Sequence, residues 1–533
     1  MTSQRYDAII IGGGHNGLVT AAYLAKAGKK TLVLERREIL GGAAVTEEVH
    51  PGFKFSVFSY VVSLLRPEII RDLDLPAHGL QILPLESTVT PLDNGGYLAG
   101  WADPDETRRE YYRHSPHDAE AALRFGHLMH HMAMAVKPIL GMIPPDPASL
   151  SPGDLKGMLK LGAHFRSLGA EHFHQLYKLM TMSSADYLDE WYEFDALKAT
   201  KSASGIIGTF LGPRSPGSAY VLLHHYMGEI DGAFRAWGFQ KGGTGAISNA
   251  IASAARAFGA EIRTNAGVEH VIVRGETATG VVLSNGEELY APVVVSSLDP
   301  RLTFTRLVNP TVLPGELVEG VQRFKFRGSS GKVNLALSGL PDFSCLGGNA
   351  DLAARALRGA FSISPSMEYL ERAYDDAKYG QFSRNPYMDI VIPSMIDPGM
   401  APPGKHVMSI FVQYAPHNIT GGWDDAKRDA FGDAVIRTLA RFAPNIESLI
   451  LHKQVLTPAD IERITGLTEG NIFQGELALH QLFFLRPVPE WAKYRTPLKG
   501  YWQCGAGTHP GGGIMGASGR LAAQAILGKQ DAA

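Results

Sequence analysis

The chain has 533 residues, 45% apolar and 19% charged, with a net charge of −3. These are the proportions of a soluble globular protein of two or three domains with a sizeable core, and the weak negative charge argues against nucleic acid as a main partner. Its two cysteines, Cys345 and Cys504, form no C-x-x-C or C-x₄-C pair, which excludes a disulfide framework and a redox-active dithiol and fits a reducing, cytoplasmic setting. No uncharged apolar run reaches the roughly 18 residues of a transmembrane helix, and with a first strand predicted close to Met1 no targeting peptide is expected.

Tyr6 to Glu35 read Y-D-A-I-I-I-G-G-G-H-N-G-L-V-T-A-A-Y-L-A-K-A-G-K-K-T-L-V-L-E. The apolar run to Ile11 suits a buried parallel strand. Gly12, Gly14 and Gly17 supply G-x-G-x-x-G: a tight turn, a close backbone approach to a pyrophosphate, and close packing of the next helix on the strand. That helix is expected to run to Ala27, with Gly28 just past its end. Its N-terminal amides face the phosphates. Glu35 ends a second strand, where a carboxylate accepts from ribose hydroxyls and repels a 2′-phosphate. The ligand is therefore an NAD-like dinucleotide or FAD, not NADP.

Arg36 and Arg37 lead to Gly41-Gly42-Ala43-Ala44, a doublet expected to bring backbone to the same cofactor. Short strands are predicted at Leu80–Leu85 and Tyr97–Trp101, and residues 118–200 read as helical. Leu155–Phe165 is a basic amphipathic stretch, read as an ordinary half-buried helix, with peripheral membrane contact left open. His127-Leu-Met-His130-His131 has a di-iron spacing, but without membrane helices it reads as ordinary helix histidines, and no metal is expected. Residues 200–235, rich in Gly, Ser and Pro, read as loops or short elements.

Lys241-Gly242-Gly243-Thr244-Gly245 precedes a helix from about Ala246 to Phe258. Strands follow at Glu261–Thr264 and Val268–Val273, then a hairpin across Asn285-Gly286 and a further strand at Val293–Ser296. This block is expected to rejoin the N-terminal sheet, with Val268 near an adenine. Residues 306–490 read as mixed α/β. The C-terminus runs G-Y-W-Q-C-G-A-G-T-H-P-G-G-G-I-M-G-A-S-G from Gly500 to Gly519, then a helix to about Leu527. Gly511, Gly513 and Gly516 repeat G-x-G-x-x-G, but too little chain follows for a second βαβ unit. The better reading is a loop beneath a flavin, its helix N-terminus aimed at N1 and C2=O.

Together these three blocks resemble the FAD-dependent phytoene-desaturase-like oxidoreductases. R-E-I-L-G-G-A-A-V-T-E-E-V-H-P-G-F-K-F-S-V-F-S-Y-V-V-S-L-L-R-P to Pro67, G-N-I-F-Q-G-E-L at 470–477 and Q-L-F-F-L-R-P at 481–487 resemble the branch of the pyridine nucleotide-disulphide oxidoreductase domain-containing proteins and the CrtO-type β-carotene ketolases. The resemblance implies bound FAD. It also implies a Rossmann-like α/β domain, a doubly wound parallel sheet plus β-meander, from residues 1–75, 236–305 and 495–533. A mixed α/β substrate domain would come from 76–235 and 306–494. By position, Gly12, Gly14, Gly17, Glu35, Gly42 and Val268 hold the ADP half; Gly505, Gly512, Gly513 and Ile514 hold the flavin end. Gly13, His15, Asn16, Arg36, Gly41 and Ala43 complete the expected cofactor set.

The implied reaction removes two hydrogens from a small hydrophobic substrate, isoprenoid or lipid-like, with hydride passing to flavin N5 and O₂ or a quinone as electron acceptor. An amine or alcohol oxidase, or a flavoprotein of mainly regulatory role, are the alternatives. No catalytic residue is legible. His509 reads as a histidine that pins the flavin loop, and Arg66 and Arg486 as arginines paired with acids.

Overall fold

The computed structural model describes residues 6–230, 232–234 and 237–528. Five strands form a wholly parallel sheet: β1 (Ala8–Ile11), β2 (Thr31–Leu34), β3 (Glu261–Arg263), β4 (Val293–Ser296) and β5 (Tyr501–Gln503), in the order β3-β2-β1-β4-β5. β1 and β2 are buried on both faces, which is why they read as unbroken apolar runs. Helices α1 (His15–Lys26), α2 (Gly245–Ala257) and α3 (Ala517–Ile526) pack together over one face. The other face carries the three-stranded meander Val268–Arg274, Thr277–Leu283 and Glu288–Tyr290. Three distant stretches of chain therefore build one cofactor-type sheet.

A second, seven-stranded sheet takes Ile450–Leu456, Ser330–Leu337, His406–Gln413, Tyr387–Val391, Ala360–Ile363, Ser87–Pro91 and Tyr97–Trp101 in that order. Its strands pair antiparallel except Ala360–Ile363 with Ser87–Pro91. Strand alternation gives it two unlike faces. Val333, Leu335, Met388, Ile390, Ile410 and Val412 pack on Phe431, Val435 and Leu439 of the helix Asp425–Ala440. The opposite face carries rows set by register: Ser362, Asp389, Phe411 and Lys332 in one, Val391, Ser409 and Asn334 in the next. This polar face meets the segment after the Gly41-Gly42 doublet. The Lys332 ammonium donates to the Ser56 carbonyl, and the Asn334 amide to that of Val57.

Two local expectations are corrected. The stretch read as loops or short elements holds the nine-residue helix Ser218–Tyr226, every residue of which is buried. A helix buried all round, as this one is despite Ser218, His224 and His225, has no amphipathic period to betray it. The helix Pro152–Ser167 is more exposed than a half-buried helix: it fully buries only Asp154 and Leu161, while Leu155 and Leu159 are 47% and 75% exposed. No helix among the described residues is long and apolar enough to cross a membrane.

Candidate cofactor and substrate site

In a parallel sheet the carboxyl ends of the strands gather on one side, and ligands bind there. β1 turns sharply at Gly12, whose φ of 94° suits glycine. A Cβ on Gly17 would stand 2.3 Å from the Gly12 carbonyl, so only glycine lets α1 pack against the loop. At Gly14 the reverse holds: a Cβ there would meet nothing within 4 Å. That space faces the cleft at the start of α1, which has no capping side chain and no acid in its first turn. Its free amides and dipole want an anion. Burial holds the His15 imidazole neutral, down to about 4.

Glu35 is 8% exposed, and its carboxylate accepts from the Gly13 and Arg37 amides at 2.8 and 2.9 Å. The doublet loop lies against the glycine loop, the Gly41 amide donating to the Gly13 carbonyl at 2.9 Å. The Ala266 and Asn265 amides donate to the carbonyls of Glu35 and Arg37, which brings Val268 to the end of β2. Arg36 turns away: its exposed side chain donates to the Ile464 carbonyl at 2.8 Å.

One cleft is lined by Gly14, His15, Asn16, Gly17, Gly41, Gly42 and Ala43 on one side and by Gly513 and Ile514 on the other. Tyr60, Val61 and Trp237 line it too and are shared with a second cavity, which marks that end of the cleft; Phe473 also lines it. Gly12, Gly13, Glu35, Arg36, Val268, Gly505 and Gly512 do not line it. Gly505 and Gly512 have a packing role. Cβ atoms there would stand 2.5 Å from the Gln474 Oε1 and from the Phe473 ring, so these glycines let the C-terminal loop close against 473–474. α3 begins at Gly516 (φ 71°), again with no capping side chain and no acid in its first turn.

The predicted histidine and arginine roles separate. His509 is buried, its ring Nε2 bonded to the Ile139 carbonyl at 2.9 Å and its own carbonyl accepting from Tyr494 and Ser518; it pins the loop. Arg66 pairs with Glu68 at 3.0 Å. Arg486 corrects the expectation of an acid partner. It is fully buried and donates to six carbonyls, those of Phe473, Gly475, Glu476, Gln481, Ala506 and Thr508. The guanidinium thus ties the flavin-type loop to the 473–481 segment. His131 bonds the carbonyl of His127 at 2.8 Å, and among the described residues the one cluster of metal-holding spacing is elsewhere, at His117, Asp118 and Glu193. Sequence reasoning missed Ser297, Tyr60, Trp237 and Phe473 as lining residues; for Phe473 the G-N-I-F-Q-G-E-L block held the signal.

Burial depresses the His509 imidazole to about 4. The unfolded chain then binds more protons between that value and about 6.5, so the folded state keeps this contribution above pH 6.5 and loses it as pH falls toward 4. The slope is about 1.4 kcal/mol per pH unit at most for this one group. His509→Asn is expected to flatten the acid limb of a urea-stability profile across that window; an unchanged slope would count against a neutral, buried His509.

Two uncapped helix N-termini, an open glycine approach, a buried acceptor carboxylate and an apolar far end fit an extended dinucleotide with a ring system at one end. This is the class of a dinucleotide-dependent oxidoreductase. A model of flavin-containing amine oxidoreductases matches residues 17–527, and the chain belongs to that family. It is 42% identical to rat pyridine nucleotide-disulfide oxidoreductase domain-containing protein 2, over 98% of this chain and 93% of that one. It is 24% identical to the lycopene-forming phytoene desaturase of a Paracoccus species, over 99% and 98% of the two chains. A solved oxidoreductase from Methanosarcina mazei shares the fold, with a TM-score of 0.60 at 17% identity over 99% of this chain and 100% of that one. The chain is an FAD-dependent oxidoreductase with a Rossmann-like cofactor domain, and the phytoene-desaturase-like resemblance holds.

Proposed function

We propose that this protein removes two hydrogens from a hydrophobic, isoprenoid- or lipid-like substrate. The observation that carries the reading is that the cofactor cleft adjoins a second cavity, and Tyr60, Val61, Ile207 and Trp237 wall both. Substrate in the second cavity would reach the ring end of the first. When bound, FAD supplies a hydride acceptor at N5. The chain's own work is to bind, orient and exclude water. The Gly14 approach and the α1 amides hold the diphosphate with His15 and Asn16 beside it, Glu35 takes the ribose, and Val268 lies toward the adenine. Gly513, Ile514 and the α3 N-terminus hold the flavin end, where negative charge gathers on reduction. Leu85, Leu98, Ile230 and Ala360 supply the apolar wall of the second cavity. The phytoene desaturase among the relatives supports an apolar substrate. O₂ or a quinone is the electron acceptor in this reading, because the one parallel sheet among the described residues offers a single dinucleotide site.

Anaerobic mixing of the yellow protein with lipid, isoprenoid, alcohol and amine fractions tests it. Bleaching by an apolar fraction is the expected result. A flavin that no fraction bleaches would sink the reading and favour a regulatory flavoprotein.

A further inference from the structure

The second cavity is not a plain apolar tunnel. It encloses about 530 Å³ and sits on the polar face of the seven-stranded sheet. Aromatic rings surround it, among them Tyr60, Trp101, Tyr111, Trp237 and Tyr387, and so does one carboxylate of unusual standing, that of Asp389. Strand Tyr387–Val391 aims Asp389 out of the sheet, between Ser362 and Phe411 on the neighbouring strands. Tyr60 reaches down from the cofactor side, stacks on Phe411 with ring centroids 5.4 Å apart, and donates its hydroxyl to the carboxylate at 2.6 Å. The pair therefore stands at the wall shared by the two cavities.

Asp389 forms no ion pair among the described residues. The charges facing the same cavity are otherwise engaged. Glu86 pairs with Arg358, and the Lys201 ammonium sits over the rings of Tyr111 and Tyr192, 5.6 and 5.3 Å from their centroids. A carboxylate has acceptor capacity for several donors, and one hydroxyl leaves most of it unmet in a cavity partly shielded from water. Burial raises the Asp389 carboxyl to about 6, a cost that a donor from the ligand would offset. Two of the rings already hold protein cations, Lys201 on Tyr111 and Arg355 on Trp101, so the attraction for a ligand cation comes from the Asp389 carboxylate itself, which would repel a second carboxylate.

We infer that Asp389, held in place by Tyr60, is the specificity-determining residue of this chamber, and that it receives a hydrogen-bond-donating head group, an ammonium or a hydroxyl, on an otherwise apolar substrate. The inference rests on the proposed FAD-dependent oxidation, since it makes this chamber the substrate's. Ammonium and hydroxyl share the donor chemistry, and the charge of the carboxylate favours the ammonium.

Calorimetric titration of the FAD-loaded protein near neutral pH with hexylammonium, 1-hexanol and hexanoate tests it. Hexylammonium is expected to bind, hexanoate not, and Asp389→Asn to weaken hexylammonium at least about tenfold. Equal loss of hexanol in Asp389→Asn supports a hydroxyl as the natural donor; loss of hexylammonium alone supports an amine. Tyr60→Phe removes the hydroxyl that positions the carboxylate and favours its charged form, and is expected to weaken hexylammonium in the same direction should Asp389→Asn fail to fold. Hexanoate binding as tightly as hexylammonium, silence toward both donor probes, or unchanged affinity in the variants would overturn the inference. A protein that binds no FAD defeats the proposed function; a yellow protein indifferent to both donor probes defeats only this step.

Discussion

Gly14→Val is expected to leave a folded protein that no longer retains FAD. The residue has an ordinary negative φ of −68°, and a Cβ there meets no protein atom within 4 Å. The first carbon of a valine side chain therefore meets no protein atom, and the side chain grows into the cleft that a diphosphate would occupy above the α1 amides. Loss of that approach is expected to raise the FAD Kd by at least about 100-fold, or roughly 2.7 kcal/mol. Circular dichroism and the urea midpoint of the apoprotein should stay at wild-type values. Gly17→Val is the contrasting variant, since its Cβ would stand 2.3 Å from the Gly12 carbonyl and must separate α1 from the loop. It should lose both stability and flavin. A Gly14→Val protein that purifies fully yellow would remove the diphosphate from this place.

Arg486→Met is expected to be the most destabilising single change in the C-terminal half. Six carbonyls from two loops converge on one buried guanidinium. Methionine fills much of the volume and satisfies none of them. Each buried carbonyl left without a donor costs about 1–3 kcal/mol before relaxation, so a net loss of about 3–5 kcal/mol is expected once the loops loosen. Flavin release on heating should move to lower temperature along with unfolding, because Ala506 and Thr508 belong to the loop beside the cleft. Arg486→Lys keeps the charge but offers three donors without the planar fork, and should fall between the two. Urea unfolding of the three proteins checks the order; a methionine variant within about 1 kcal/mol of wild type would show that the loops hold without this tie.

The parallel sheet was legible because its signals are local. β1, the glycine loop, α1 and β2 follow one another within a single short stretch, and each obeys its own period. Glu35 was legible for the same reason, since the end of β2 follows from its start. The polar face of the seven-stranded sheet was written in the alternation of Ser330, Lys332 and Asn334, and of Tyr387, Asp389 and Val391. Its meaning depended on Tyr60, 329 residues away in the chain, and nothing local shows that the two meet. Glycine marks any close approach, so Gly505 and Gly512 read as cofactor glycines; that the Gln474 side chain and the Phe473 ring also approach them is a tertiary fact. The role of Arg486 was unreadable in principle, because its partners are backbone carbonyls, which every residue carries.

In the proposed function Gly12 to Glu35, the Gly41-Gly42 doublet and the loop from Gly505 to Gly516 form one FAD site. Titration of the wild-type apoprotein with FAD, followed by quenching of flavin fluorescence and repeated with NADP⁺, tests it most directly. Saturable quenching at one FAD per chain, no competition by NADP⁺ and loss of binding in Gly14→Val are the results expected. FAD that fails to bind wild type, or binds Gly14→Val as tightly, would show that these segments do not form that site.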